Sequence, residues 1–300
     1  MSCSFTKWLQ KQFLIKILLS VTLFIVAYCV FGDSVYLTLV SFFAASIANA
    51  TAVGGGFLFM PLFIYVYKLA PLVALKLSIA TQAFGMTSGA LSWGRQFIDI
   101  KAFYIASIAS ITGVWVASFV WVIPSSYIKP LFAVISLGVF VALVLEMRYK
   151  ESKVEGCFSF SHNSAAWFFV VSAFAGGLIT GWTAIGVGEV VALYLLFVYR
   201  LKVDVAIATG VAVLAMSSLA GLLFHIILGG IPWHLLVFTI PGVIVGGYYG
   251  AKLAKQMENR GLETESTDVK PASPLKLFFA AVILVDCIVI LLSEVVIKSL

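Results

Sequence analysis

Long apolar runs separated by short polar connections dominate the chain, and their lengths predict helices. Runs at about 13–31, 71–93, 102–122, 130–147, 203–228, 233–252 and 274–297 each hold close to the twenty residues that a helix needs to cross hydrocarbon. Two further apolar segments, 35–67 and 165–199, are too long for one ordinary span. Each is interrupted by glycine, in the stretches Thr51-Ala52-Val53-Gly54-Gly55-Gly56 and Thr183-Ala184-Ile185-Gly186-Val187-Gly188. Such a segment is either a kinked span or a hairpin that returns to the side it came from.

The two interruptions share one register. An offset of 132 positions carries Thr51 onto Thr183, Tyr67-Lys68-Leu69 onto Tyr199-Arg200-Leu201, Val73-Ala74 onto Val205-Ala206, and Gly89 onto Gly221. Apolar text alone would not hold one offset over that distance, so the pattern predicts an internal duplication.

Composition adds the class and the topology. With 62% hydrophobic and 11% charged residues the chain reads as an integral membrane protein, leaving no room for a soluble domain. The net charge of +6 comes mostly from loop lysines and arginines. In a membrane chain these report topology rather than nucleic-acid binding. If both interrupted segments return to their own side, only Lys68, Lys129 and Lys298 lie outside the cytoplasm. If both cross, Arg95, Lys101, Arg148, Lys150 and Lys153 move outside while Lys68 and Lys129 move in. The positive-inside rule favours the hairpins. Each repeat then holds one hairpin and three crossings, an odd number, and the two halves are inverted.

The expected fold is therefore an all-α polytopic membrane protein of two inverted repeats. Residues 1–34 form an extra N-terminal helix, 35–147 the first repeat, 148–164 a cytoplasmic loop and 165–300 the second repeat. The N-terminus is cytoplasmic, and Lys7, Lys11 and Lys16 ahead of the first run make it a retained signal anchor in the inner membrane. The polar stretch 253–273 reads as a second cytoplasmic loop. Trp93, Trp121, Trp167 and Trp233 fall near span ends as interfacial anchors. Gly242, Gly246 and Gly250, spaced four apart, read as a close-packing stripe.

Interrupted helices in matching places of inverted halves point to a transporter whose substrate lies between them. A helix broken in hydrocarbon leaves amides that lipid cannot satisfy. Half-helices starting at Gly55 and Gly188 would aim free N–H groups and the positive ends of their dipoles at a small anion. The expected substrate contacts are Thr51, Gly54, Gly55, Gly56, Ser78, Thr183, Gly186, Gly188 and Thr209. The hydroxyls among them can instead bond a carbonyl of their own helix. Trp182, beside the second break, is placed as a cavity wall.

Intramembrane charges are functional candidates by default. Glu189 follows Gly188 directly and would stand in the first turn of a half-helix, where the dipole favours a carboxylate. It is the expected proton carrier, with Lys76 as its counter-charge or as a side chain reaching to the interface. Asp286 is the second carboxylate candidate. The four cysteines, Cys3, Cys29, Cys157 and Cys287, are scattered, and the three histidines have no metal spacing. No metal, cofactor, disulfide framework or nucleic-acid partner is expected.

The chain resembles the sulfite exporter TauE/SafE family of bacterial membrane permeases. The resemblance rests on Ala52-Val53-Gly54-Gly55-Gly56 with Pro61, and on Ala74 with Ser78 and Ala206 with Thr209, between about residues 35 and 297. The second repeat departs from the first with Val187, Glu189 and Leu193 where the first has Gly55, Phe57 and Pro61. Leu77 and Gly210 depart from the family's hydroxyl pair. The resemblance implies outward transport of sulfite, an organosulfonate or a related sulfur oxyanion, while the proton coupling expected of Glu189 rests on its place in the membrane. An enzyme would need a nucleophile with a base, or a metal cluster, and the titratable residues form neither. An anion channel and a non-transporting scaffold are the remaining alternatives. Saturation kinetics separate the first, and a lack of counterflow the second.

Overall fold

The computed structural model describes residues 34–148, 158 and 164–263, all but the connections of which are helical. The spans expected at 13–31 and 274–297, the cysteines and Asp286 lie outside the described residues. Nine helices are described. In the first half α1 is Ser34–Thr51, α2 runs from Gly56 to Val66 with a π-helical end, and α3 is Pro71–Trp93. Then α4 runs from Ile100 to Val120, also with a π-helical end, and α5 is Ser125–Arg148. In the second half α6 is Ser164–Thr183, α7 Val187–Phe197, α8 Val203–Leu228 and α9 Trp233–Glu263.

Four of the described helices, α4, α6, α8 and the Trp233–Gln256 part of α9, are long and apolar enough to cross a membrane. Side chains such as Leu91, Ile227, Val134 and Ile108 remain exposed on the outer surface, as lipid-facing positions require.

Helix ends follow local chemistry. Pro71 occupies the first turn of α3, where its missing N–H costs nothing. Asp99 caps α4 by accepting from the Ala102 amide at 2.9 Å. Both α3 and α8 stop at a glycine of positive φ, Gly94 at 79° and Gly229 at 69°.

The duplication is written into the backbone as well. Ala52 and Ala184 have φ of 59° and 61°, and Lys68 and Arg200 have φ of 54° and 52°. Left-handed conformations are uncommon for residues with a Cβ, yet both pairs recur at the offset of 132. Each member ends a helix, as a left-handed residue does at a C-terminus. The turns after them match too: the Leu69 amide donates to the Phe63 carbonyl, and the Leu201 amide to that of Leu195.

Packing crosses between the halves reciprocally. Helix α1 packs along α9, and its counterpart α6 along α4, while α3 and α8 pack on one another at the centre. The stripe on α9 explains the first contact. A Cβ on Gly242, Gly246 or Gly250 would fall on the Thr38, Phe42 or Ser46 carbonyl of α1. Gly246→Ala is expected to force the two helices apart and to cost about 1–3 kcal/mol of stability. Thermal unfolding of the detergent-solubilised protein checks this, and an unchanged midpoint would contradict it.

Two expectations are corrected. Helix α9 continues through Glu263, so residues 253–263 are not loop. Lys255 reaches from there to the Ser92 carbonyl at 2.5 Å and lies over the Phe97 and Trp93 rings. Trp93 is not an interfacial anchor: it is 1% exposed, and its indole N–H donates to the Asn49 carbonyl. Trp121, Trp167 and Trp233 are exposed.

Candidate functional site

The two glycine breaks cross one another in the interior. A Cβ on Gly56 would fall on the Ala184 carbonyl, and a Cβ on Gly188 would lie 2.8 Å from the Ala52 carbonyl oxygen. These are the same positions exchanged between the halves, so each break seats the other's backbone where only hydrogen fits. Residues 51–57 and 183–189 are all buried. The bends face protein and not lipid.

Glu189 stands at the third position of α7 and is 4% exposed. Its Oε1 accepts from the Gly54 amide of the first half at 2.6 Å, and its Oε2 from the Gly186 amide at 3.1 Å. One carboxylate thus ties the first break to the second. Both oxygens act as acceptors, the role of an ionised carboxylate, and the shorter contact is in the range of charge-assisted bonds. Also in the first break, the Val53 amide donates to Thr51 Oγ1 at 3.4 Å and the Gly56 amide to Gln82 Oε1 at 3.1 Å, and Gln82 Nε2 donates to Ser218 Oγ at 2.8 Å. In the second break the Val187 amide donates to Thr180 Oγ1, whose hydroxyl lies within reach of the Gly176 and Ile185 carbonyls. Gly186 takes a φ of 123° to make this turn.

The expectation of free amides is corrected at three of the break glycines. The amides of Gly54, Gly56 and Gly186 are held, and the group that holds two of them is a carboxyl side chain. Side chains supply what hydrocarbon cannot.

The other expected site residues divide. Thr51 and Thr183 donate to the Ile47 and Ile179 carbonyls of their own helices, the alternative that their hydroxyls allowed. Thr209 accepts from the Asp99 amide, which precedes α4. Ser78 is fully buried and its hydroxyl has no partner. It lies one turn before Gln82 on the same face of α3.

Lys76 is not the counter-charge of Glu189. Its ammonium donates to the Gly229 carbonyl at 2.7 Å, beyond the end of α8. Trp182 is turned to Trp121, with ring centroids 5.2 Å apart and its indole N–H on the Trp121 carbonyl. Among the described residues no group of three His, Cys, Asp or Glu side chains is placed to hold a metal.

Gln82, Thr180 and Ser218 were missed in the sequence. A signal was present, because the offset of 132 pairs them with Leu214, Ala48 and Met86, and pairs Glu189 with Phe57. Glu189, Gln82, Thr180 and Ser218 are polar residues of the crossing that break the repeat. Gln82→Leu, which copies the other half, would leave the Gly56 amide and the Ser218 hydroxyl without their partner. It is expected to cost about 1–3 kcal/mol, and an unchanged thermal midpoint would count against this network.

Comparison with known proteins finds one family and two relatives. The family described as "Sulfite exporter TauE/SafE" matches residues 37–264. "Probable membrane transporter protein YunE" of Bacillus subtilis (strain 168) is 22% identical over 250 residues, covering 75% of this chain and 90% of the relative. "Probable membrane transporter protein YjnA" of the same organism is 22% identical over 263 residues, covering 81% and 99%. No solved structure matches.

Proposed function

Because the chain belongs to the sulfite exporter TauE/SafE family of membrane transporters, we propose that it moves a small anion, a sulfur oxyanion such as sulfite or an organosulfonate, through the crossing of its two breaks. The observation that carries this reading is Glu189, a carboxylate held by the Gly54 amide of one half and the Gly186 amide of the other. Amides that hold a carboxylate oxygen can hold an oxyanion. On this reading the internal carboxylate is seated where the substrate anion would sit.

Protonation of Glu189 removes the charge that the amides hold and frees them for substrate, so a proton enters the cycle with the anion. Gln82, which holds the neighbouring Gly56 amide, serves as a further polar contact. The halves are read as inverted in the membrane and the breaks as hairpins, which opens the crossing to each side in turn. The N-terminus is placed in the cytoplasm and the protein in the inner membrane. Export is the direction that the family's description supports.

Proteoliposomes holding the purified chain test the reading. Vesicles preloaded with unlabelled sulfite or methanesulfonate are expected to accumulate the labelled anion transiently by counterflow, with saturation. Flux without saturation would make the protein a channel. No counterflow with any small oxyanion would leave a scaffold.

A further inference from the structure

We infer that the crossing accepts singly charged oxyanions and excludes dianions, and that each bound anion is matched by one proton on Glu189. This rests on the reading of the crossing as the substrate site. Glu189 brings one negative charge into the interior, and its polar neighbours are backbone amides: Gly54 from the first half, Gly186 from the second, and its own. Beside these lie a carboxamide and a hydroxyl, from Gln82 and Ser218. Every one of these groups is neutral.

The charged and titratable groups on the packed elements are bonded elsewhere or, for His225, lie toward the far end of α8. On α3, Lys76 donates to the Gly229 carbonyl, and it stands six residues from Gln82. On α8, Asp204 accepts from the Val205 amide near the start of the helix. His225 is buried toward the other end of α8, eleven residues beyond the Leu214 that flanks Gly188. At 1.5 Å per residue that separation is about 16 Å. On α7 itself the Tyr194 hydroxyl donates to the Ala165 carbonyl. Lys129, on α5, lies over the Tyr65 ring.

A buried site of dipoles without a cation sets its own limit on charge. The cost of taking an ion out of water rises with the square of its charge, so a dianion faces about four times the penalty of a monoanion. The crossing already holds one negative charge and is built for that amount. Substrate therefore replaces the carboxylate one for one: Glu189 takes a proton, its O–H no longer occupies the amides, and a monoanion takes them. The charge of the site is minus one before and after. Proton and anion move together, and the cycle carries no net charge.

The test uses the purified full chain in proteoliposomes with the membrane potential clamped by potassium and valinomycin. Labelled methanesulfonate is the monoanion probe, and sulfate and thiosulfate are the dianion probes. Methanesulfonate is expected to be taken up with one proton per anion, and its steady-state ratio is expected to stay unchanged over 100 mV. The dianions are expected to move at less than a tenth of its rate. Dianion flux equal to that of methanesulfonate would overturn the inference and leave the transporter reading standing. So would a shift of about 50-fold in the methanesulfonate ratio per 100 mV, the value for one net charge. Absence of flux with all three probes would overturn both.

Discussion

Glu189→Gln is expected to abolish the pH dependence of transport and to lower flux at least tenfold. The substitution keeps the shape of the side chain and removes the proton it exchanges. It also misfits the cradle. Two amides, Gly54 and Gly186, both donate to the carboxylate, whereas a carboxamide offers one acceptor and sets an N–H against the other amide. One buried donor is left unpaired, at a cost of about 1–3 kcal/mol, so the closed state weakens as coupling is lost. Glu189→Asp separates the two effects, because it titrates but is one methylene too short to span both amides. It is expected to keep a pH-dependent flux at reduced rate. In wild-type protein the sign is fixed by the proton that must bind with the anion: flux rises as pH falls on the side where substrate binds. Wild-type flux with a wild-type pH profile in Glu189→Gln would remove Glu189 from the coupling mechanism.

Gly56→Ala is expected to have the largest effect on stability. Its Cβ would fall on the carbonyl of Ala184, and backbone cannot move aside as the end of a side chain can. The crossing must open, and with it the bonds from Gly54 to Glu189 and from Gly56 to Gln82. Overpacking alone costs about 1–3 kcal/mol, and each buried donor left unpaired adds about 1–3 kcal/mol. The expected result is protein that fails to remain monodisperse in detergent, or unfolds well below wild type. Gly138→Ala is the matching control, because a Cβ there meets nothing within 4 Å. Equal thermal midpoints for the two variants would refute close contact of the breaks.

The hydrophobic pattern located α3 and α8 to the residue, at 71–93 and 203–228, because Pro71, Gly94 and Gly229 mark helix ends chemically. It failed at the end of α9, where the polar and charged residues after Leu253 resemble loop but continue the helix beyond the apolar run. Trp93 misled for a related reason. Its position near a span end matches an anchor, but its indole turns inward to the Asn49 carbonyl, and which face of a helix is covered depends on its neighbours.

What the amino-acid order determined alone is the membrane class, the duplication with its offset of 132, and the location of the two breaks. Each of these is a property of local composition or of self-comparison along the chain. Only the tertiary structure decided what satisfies the broken backbone. The partner of Gly54 is 135 residues away in the other half, and that of Gly56 is on α3. Exposed amides in an apolar interior must find acceptors, but local pattern cannot say which. The fold answered with Glu189, Gln82 and Thr180, side chains that the repeat itself does not share.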